Sequence, residues 1–79
     1  MYHLYILKSL NTSEYYKGIA KNLDLRLYQH FQGKVRFTKS RFPLKLVHVE
    51  ICETRQEAIR LEKFFKSGYG REIIKELFN

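Results

Sequence analysis

The sequence predicts an α+β fold in the order ββαβαα, and three observations carry that reading. Tyr2 to Lys8 and Tyr15 to Ile19 are short β-rich runs joined through Leu10-Asn11-Thr12-Ser13, a connection short enough to predict an antiparallel hairpin. Leu23, Leu27 and Phe31 recur every four residues, the spacing of an apolar helical stripe. After a third strand candidate, Leu44 to Glu53, the apolar residues return to helical spacing as far as Phe78. Antiparallel neighbours with segregated helices belong to the α+β class.

Each element has local reasons to form. Alternation puts Tyr2, Leu4 and Ile6 on one face of the first strand and His3, Tyr5 and Leu7 on the other. Gly18 inside the second strand marks a close approach of backbone or ligand. Asn22 is placed to cap a helix from Leu23, Asp24 favours its first turn, and Gly33 is placed to end it. Arg26 and His30, four apart, lie together at one margin of the Leu23/Leu27/Phe31 stripe. Gly33 to Pro43 reads as a basic loop, and Val47, Val49 and Ile51 as one face of the third strand. Thr54-Arg55-Gln56-Glu57 fits a capping box, in which the hydroxyl meets the amide three residues on and the Glu reaches back. The helix it opens is expected to run to about Ser67, with Gly68 terminating it. A last short helix from Gly70 carries Ile73, Ile74, Leu77 and Phe78 on an apolar edge.

Composition narrows the function classes. A chain of 79 residues is expected to form one domain spanning residues 1–79, since so short a chain buries only about 60% of its unfolded surface. Six Tyr and six Phe supply large buried areas, so disorder is not expected. One cysteine, Cys52, excludes an internal disulfide framework and a multi-cysteine zinc site, and its apolar surroundings read as core. The N-terminus lacks the order of a signal peptide and no apolar run reaches spanning length, so a cytoplasmic protein is expected.

The net charge of +7 matters less than its distribution. No acidic residue lies between Asp24 and Glu50, whereas Arg26, Lys34, Arg36, Lys39, Arg41 and Lys45 all do, interleaved with Phe31, Phe37 and Phe42. A one-signed segment of this kind suits a polyanion backbone, whose phosphates release counterions to Lys and Arg. An anionic membrane surface is the runner-up partner. The absence of an amphipathic period from Gly33 to Pro43 counts against it.

One side chain does not fit a plain helix. Ala58, Leu61 and Phe65 make a stripe with Ile59 beside it, and Glu62 falls inside that arc. A carboxylate buried there without a partner costs several kcal/mol. Either it pairs with Lys66 one turn on, or it faces a cleft and holds a divalent cation. Tyr5 and Tyr16, on adjacent strands, read by themselves as packing, and Arg26 and His30 as a solvated helix edge.

Taken together and in order, these residues resemble the GIY-YIG nuclease superfamily over nearly the whole chain. The first motif is His3-Leu4-Tyr5 and the second Tyr16-Lys17-Gly18; Arg26, His30 and a helix bearing Glu62 follow in the family's order. Thr38-Lys39-Ser40-Arg41, Phe42-Pro43-Leu44-Lys45-Leu46-Val47, Glu53-Thr54-Arg55-Gln56-Glu57-Ala58 and Lys66-Ser67-Gly68-Tyr69-Gly70-Arg71 are similar to its small stand-alone bacterial branch. The first motif departs from Gly-Ile-Tyr but keeps the tyrosine. A later Asn found near the cleft in some relatives has no counterpart except terminal Asn79.

The resemblance implies a small three-stranded antiparallel sheet flanked by helices, and metal-dependent endonuclease hydrolysis of DNA phosphodiesters, with DNA repair or recombination as the setting. It implies that Tyr5 and Tyr16 line the cleft, one of them helping to deprotonate water, with Arg26 on the scissile phosphate and His30 assisting proton transfer. Glu62 is implied as the ligand of one Mg²⁺ or Mn²⁺. The side chains expected on DNA, branched or single-stranded forms included, are Lys17, Lys34, Arg36, Lys39, Arg41, Lys45, Lys66 and Arg71. No membrane partner and no small-molecule cofactor are expected, and the oligomeric state stays open. Two other readings stand beside this one: a catalytically weak or inactive nucleic-acid-binding module of the same fold, and a protein-interaction domain with an incidental basic surface.

The expected geometry is specific. The Tyr5 and Tyr16 hydroxyls should share one concave site with Arg26 and Glu62, and tyrosines on opposite faces of the sheet would remove the assignment.

Overall fold

A computed structural model describes all residues, Met1 to Asn79. The elements are β1 (Tyr2–Ser9), β2 (Tyr15–Ala20), α1 (Leu23–Phe31), α2 (Arg36–Lys39), β3 (Leu44–Cys52), α3 (Arg55–Lys66) and α4 (Gly68–Phe78). The three strands form one antiparallel sheet in the order β2-β1-β3, with β1 in the centre. The fold class is α+β, as the order of the sequence signals predicts.

Alternation along β1 divides the core between the two faces. Leu4 and Ile6 pack with Phe65 of α3 and Ile74 of α4, while Tyr5 and Leu7 pack with Ala20 and with Leu23 and Leu27 of α1. Leu4, Tyr5 and Ile6 have no exposed surface. Covering both faces is what makes β1 a nearly continuous apolar run. Cys52 is buried, as its surroundings predict.

The caps behave as read from the sequence, with one adjustment. Asn22 Oδ1 accepts from the Leu25 amide at 3.0 Å, and Gly33 follows α1 with a positive φ of 74°. Thr54 Oγ1 accepts from Glu57 N–H at 3.2 Å, but the Glu57 carboxylate reaches one residue further back, to the Glu53 amide at 3.4 Å.

Four expectations are corrected. The segment from Gly33 to Pro43 is not wholly loop, because Arg36–Lys39 closes a helical turn. Ser67, not Gly68, separates the last two helices: its extended backbone breaks α3, and its hydroxyl donates to the Phe64 carbonyl and accepts from the Gly70 amide. α4 therefore starts at Gly68 and runs eleven residues. In β3 the pairing with β1 shifts between Ile6 and Leu7, which leaves Val47 bulged. Val47 then packs with the Leu4 and Ile6 face and Val49 with the Tyr5 and Leu7 face, while Ile51 is 66% exposed. A bulge inserts one residue and so breaks strict alternation. Finally, the inward residue at the end of α1 is His30, fully buried, and Phe31 is 45% exposed.

Candidate active site

Tyr5 and Tyr16 project from the same face of the sheet, the face covered by α1. Their registers explain the approach: Tyr5 pairs with Gly18 and Leu7 with Tyr16, so the tyrosines are diagonal neighbours. Their ring centroids lie 6.1 Å apart. Gly18 makes this possible, since a Cβ there would stand 2.6 Å from Tyr5 Oη and 2.9 Å from the Tyr16 ring. The close approach that Gly18 marks in the sequence is that of the Tyr5 side chain over the backbone of β2.

His30 reaches the same point from α1. Its ring sits edge-on to Tyr16 at 4.9 Å and to Tyr5 at 5.6 Å, and its Nε2 is 2.8 Å from Tyr5 Oη. On the other side Nδ1 is 2.8 Å from Oγ1 of Thr38, which is buried on α2. Thr38 Oγ1 also has the Val35 carbonyl at 3.4 Å, where only a donor is useful. One consistent hydrogen assignment follows. Thr38 donates to Val35, His30 Nδ1–H donates to Thr38, and Tyr5 O–H donates to a bare Nε2.

Burial and charge set the ionisation of this chain. Burial, and after it the Arg26 charge, pushes His30 down to about 4, so the imidazole is neutral at pH 7. Burial raises Tyr5 to about 12, against the lowering effect of Arg26. Burial acts to lower the Arg26 pKa, but the neighbouring Tyr5 and Tyr16 phenols outweigh it and leave the guanidinium raised. Its firm hydrogen bond is to Gln29 Oε1 at 3.1 Å. Tyr5, Tyr16, Arg26 and His30 therefore form one cluster with a single cation at its rim.

Glu62 is not joined to that cluster by a hydrogen bond or an ion pair. It stands on α3, the helix packed on the opposite face, and its carboxylate meets Lys66 Nζ at 3.4 Å. This pair is the plain structural alternative that the helix spacing allows. No group of three or more His, Cys, Asp or Glu side chains is arranged to hold an ion. A cation caged by protein ligands does not fit such a donor set. A single carboxylate does fit Mg²⁺ or Mn²⁺ that keeps most of its waters and takes the rest of its ligands from phosphate.

The basic residues divide in the same way. Lys34, Arg36, Lys39 and Lys45 are exposed, and Lys34 lies 5.9 Å from the Tyr28 ring. Arg41 is already engaged: its Nε is 3.2 Å from Glu14, and its guanidinium covers the Phe37 ring at 3.9 Å. Lys17, Lys66 and Arg71 line a separate cleft of about 530 Å³ at the β2 edge, which Tyr16 and Phe37 also border. Thr38 enters the sequence reading only as part of the Thr38-Lys39-Ser40-Arg41 run, with no role expected of it. It lies eight positions beyond His30, outside α1, so no helical period links the two; only the turn of α2 brings them together.

Comparison with known proteins identifies the family. Residues 1–75 match the model of the GIY-YIG catalytic domain. A UPF0213 protein of Staphylococcus saprophyticus is 34% identical over 75 residues, spanning 94% of this chain and 90% of its own. One from Listeria monocytogenes serotype 4b is 40% identical over 63 residues, spanning 78% and 70%. The solution NMR structure of a UPF0213 protein from Bacillus halodurans superposes with a TM-score of 0.59 at 29% identity, covering 99% of this chain and 86% of that one. The fold, the ordered motif residues and the match over residues 1–75 make this chain a member of the GIY-YIG catalytic-domain family.

Proposed function

We propose that the protein is an endonuclease that hydrolyses DNA phosphodiester bonds with the help of one divalent cation. The observation that carries this reading is the 2.8 Å contact of Tyr5 Oη with a neutral, buried His30, beside the Arg26 guanidinium. Packing alone does not require a bare imidazole nitrogen aimed at a phenol next to a cation.

Hydrolysis adds water across one P–O ester bond. The water oxygen joins phosphorus as the P–O ester bond breaks, one water proton leaves, and the departing ester oxygen takes a proton from solvent. Tyr5, itself without exposed surface, is suited to relay the first proton only once a bound strand brings water to its oxygen, which then accepts as its own hydrogen passes to His30 Nε2. Magnitudes decide how. With Tyr5 raised to about 12 and His30 lowered to about 4, the resting pair strongly favours its neutral form. A tyrosinate is therefore not stored in the free protein, and the proton moves only together with the attack. Arg26 offers planar donors to the phosphate oxygens, where negative charge builds up. Glu62, on α3 and outside the tyrosine cluster, is the residue that would hold Mg²⁺ or Mn²⁺, whose charge would stabilise a phosphate bound near it.

A second reading, a nucleic-acid-binding module of the same fold, draws support from one observation: Glu62 is occupied by Lys66. Nicking of supercoiled plasmid with Mg²⁺ or Mn²⁺ separates the two. The nuclease reading expects cleavage by the parent protein and its loss in Glu62→Gln, with metal-free DNA binding kept or slightly tightened as a negative charge is removed. Full-rate cleavage by purified Glu62→Gln would overturn the role of Glu62. Absence of parent cleavage on duplex, branched and single-stranded DNA would favour the binding module.

A further inference from the structure

The cleft at the β2 edge is a different environment from the tyrosine cluster. Its positive side chains come from three elements: Lys17 from β2, Lys66 from the end of α3, and Arg71 and Lys75 from α4, of which Lys75 pairs with Glu72 at 3.9 Å. They are close enough to repel one another. Lys17 is only partly exposed, and burial first, then Arg71 and Lys66, lower its pKa. The carboxylates nearby do not relieve this charge evenly. Glu14 is held by Arg41, and Glu62 answers Lys66 alone. Neither Lys17 nor Arg71 has an ion pair. Glu14 also lines this cleft but is held by Arg41, so the charge of Lys17 and Arg71 meets no protein carboxylate, and converging cations left in this way describe a site completed by an anion. Tyr16 is common to this cleft and to the His30 cluster, so an anion here lies next to the candidate reaction centre but on a different set of cations from Arg26.

We propose that Lys17, Lys66 and Arg71 form a second phosphate subsite, for a phosphate neighbouring the scissile one in a bound DNA strand, and that its occupancy frees Glu62. This rests on the nuclease reading for the identity of the strand, and on the geometry of the cleft for the anion. Lys66 is the link. Its ammonium serves two partners that compete, the Glu62 carboxylate at 3.4 Å and the cleft that Lys66 also lines. More than half of the Lys66 side chain is exposed, so it can swing between them without repacking. A phosphate between Lys17 and Arg71 attracts Lys66 more strongly than one carboxylate does, and it leaves Glu62 without a cation. Phosphate binding and divalent-cation binding therefore favour each other, although their ligands do not overlap.

The test measures binding without turnover. Inorganic phosphate and a short single-stranded oligodeoxynucleotide are titrated separately, in chelator, into the full chain while amide and side-chain NMR shifts are followed. Lys17→Ala and Arg71→Ala should each weaken the oligonucleotide about tenfold, the loss expected for one charge-assisted contact. Arg60→Ala, an exposed cation outside the cleft, should change it little. If phosphate alone also shifts the cleft resonances, the subsite recognises the free anion; if only the oligonucleotide does, it recognises a phosphate within a strand, and either result supports the subsite. Broadening of the Glu62 resonances by Mn²⁺ reads the coupling. Oligonucleotide should increase the Mn²⁺ affinity of the parent, whereas Lys66→Ala should show the higher affinity with no oligonucleotide present.

Unchanged binding in folded Lys17→Ala and Arg71→Ala overturns the subsite. Mn²⁺ affinity indifferent to Lys66→Ala overturns the link to Glu62. Both results are independent of cleavage, so failure of the subsite is distinguishable from failure of the nuclease reading.

Discussion

His30 should make the protein sensitive to mild acid in a way that its removal abolishes. The side chain has no exposed surface, and both ring nitrogens are engaged, Nε2 by Tyr5 and Nδ1 by Thr38. In the folded chain it resists protonation down to about 4, whereas in the unfolded chain it titrates near 6.5. Its folded pKa is depressed, so between those values the unfolded state binds more protons and stability rises with pH. The contribution is fully present above about pH 6.5 and is lost as pH falls toward 4. At pH 5 the unfolded side chain is almost wholly protonated and the folded one is not, which amounts to about 2 kcal/mol lost relative to pH 7. Urea unfolding at pH 5, 6 and 7, for the parent and His30→Gln, measures it. Carboxylates titrate in both proteins, so the difference between the two pH slopes isolates His30. The variant is expected to be less stable at pH 7 and to lose about 2 kcal/mol less on going to pH 5. Parallel slopes would show that His30 is not held neutral, and the proton relay from Tyr5 would fall with it.

Two further outcomes follow from the same geometry. Gly18→Ala sets a Cβ against Tyr5 Oη and should displace that ring, costing about 1–3 kcal/mol in thermal or urea unfolding and breaking the His30 contact, which histidine NMR shifts report; a variant as stable as the parent with unchanged shifts would refute the account of Gly18. Arg41→Ala loses its Glu14 pair and its Phe37 stack, so it should cost about 1 kcal/mol of stability while the salt dependence of DNA binding stays the same; the exposed Lys39→Ala should show the reverse, and equal salt slopes for parent and Lys39→Ala would remove the segment from the DNA interface.

What was legible in the sequence is what depends on local periodicity. Alternation along β1 placed Tyr5 with Leu7 and opposite Leu4 and Ile6, and Asn22 and Thr54 announced their helices through side-chain oxygens that cap them. Illegible features come from contacts distant in the chain. A stripe rooted at Leu27 continues equally well through His30, three residues on, or Phe31, four residues on. Only the position of α1 over Tyr5 and Tyr16 decides for His30, and that position is not a property of α1. The bulge at Val47 is invisible to a period of two. Arg41 lies in a stretch without acidic residues and so reads as a free cation, yet Glu14 in the β1–β2 connection reaches it. Glu62 was legible as an anomaly, but its spacing to Lys66 allowed both roles.

The edge strand β2 carries the main functional consequence of the fold. Successive side chains of a strand point to opposite faces, so Tyr16 joins the neutral cluster under α1 while Lys17 joins the cations between α3 and α4. Proton transfer needs a dry, uncharged pair, and phosphate binding needs concentrated positive charge; placed in one pocket, the charge would oppose protonation of His30, as Arg26 already does. Tyr16 borders both places, so the two lie side by side around the β2 edge, and under the proposed nuclease reading both are within reach of one bound strand. This arrangement depends on register, because a slip of one residue would exchange Tyr16 and Lys17 between faces. Gly18 is what ties the register to the site: only a residue without a side chain, opposite Tyr5, lets the tyrosine lie across β2 and meet His30. The glycine of the second motif is thus coupled to the tyrosine of the first by steric contact, which is why the two motifs work as a pair although ten residues lie between Tyr5 and Tyr16.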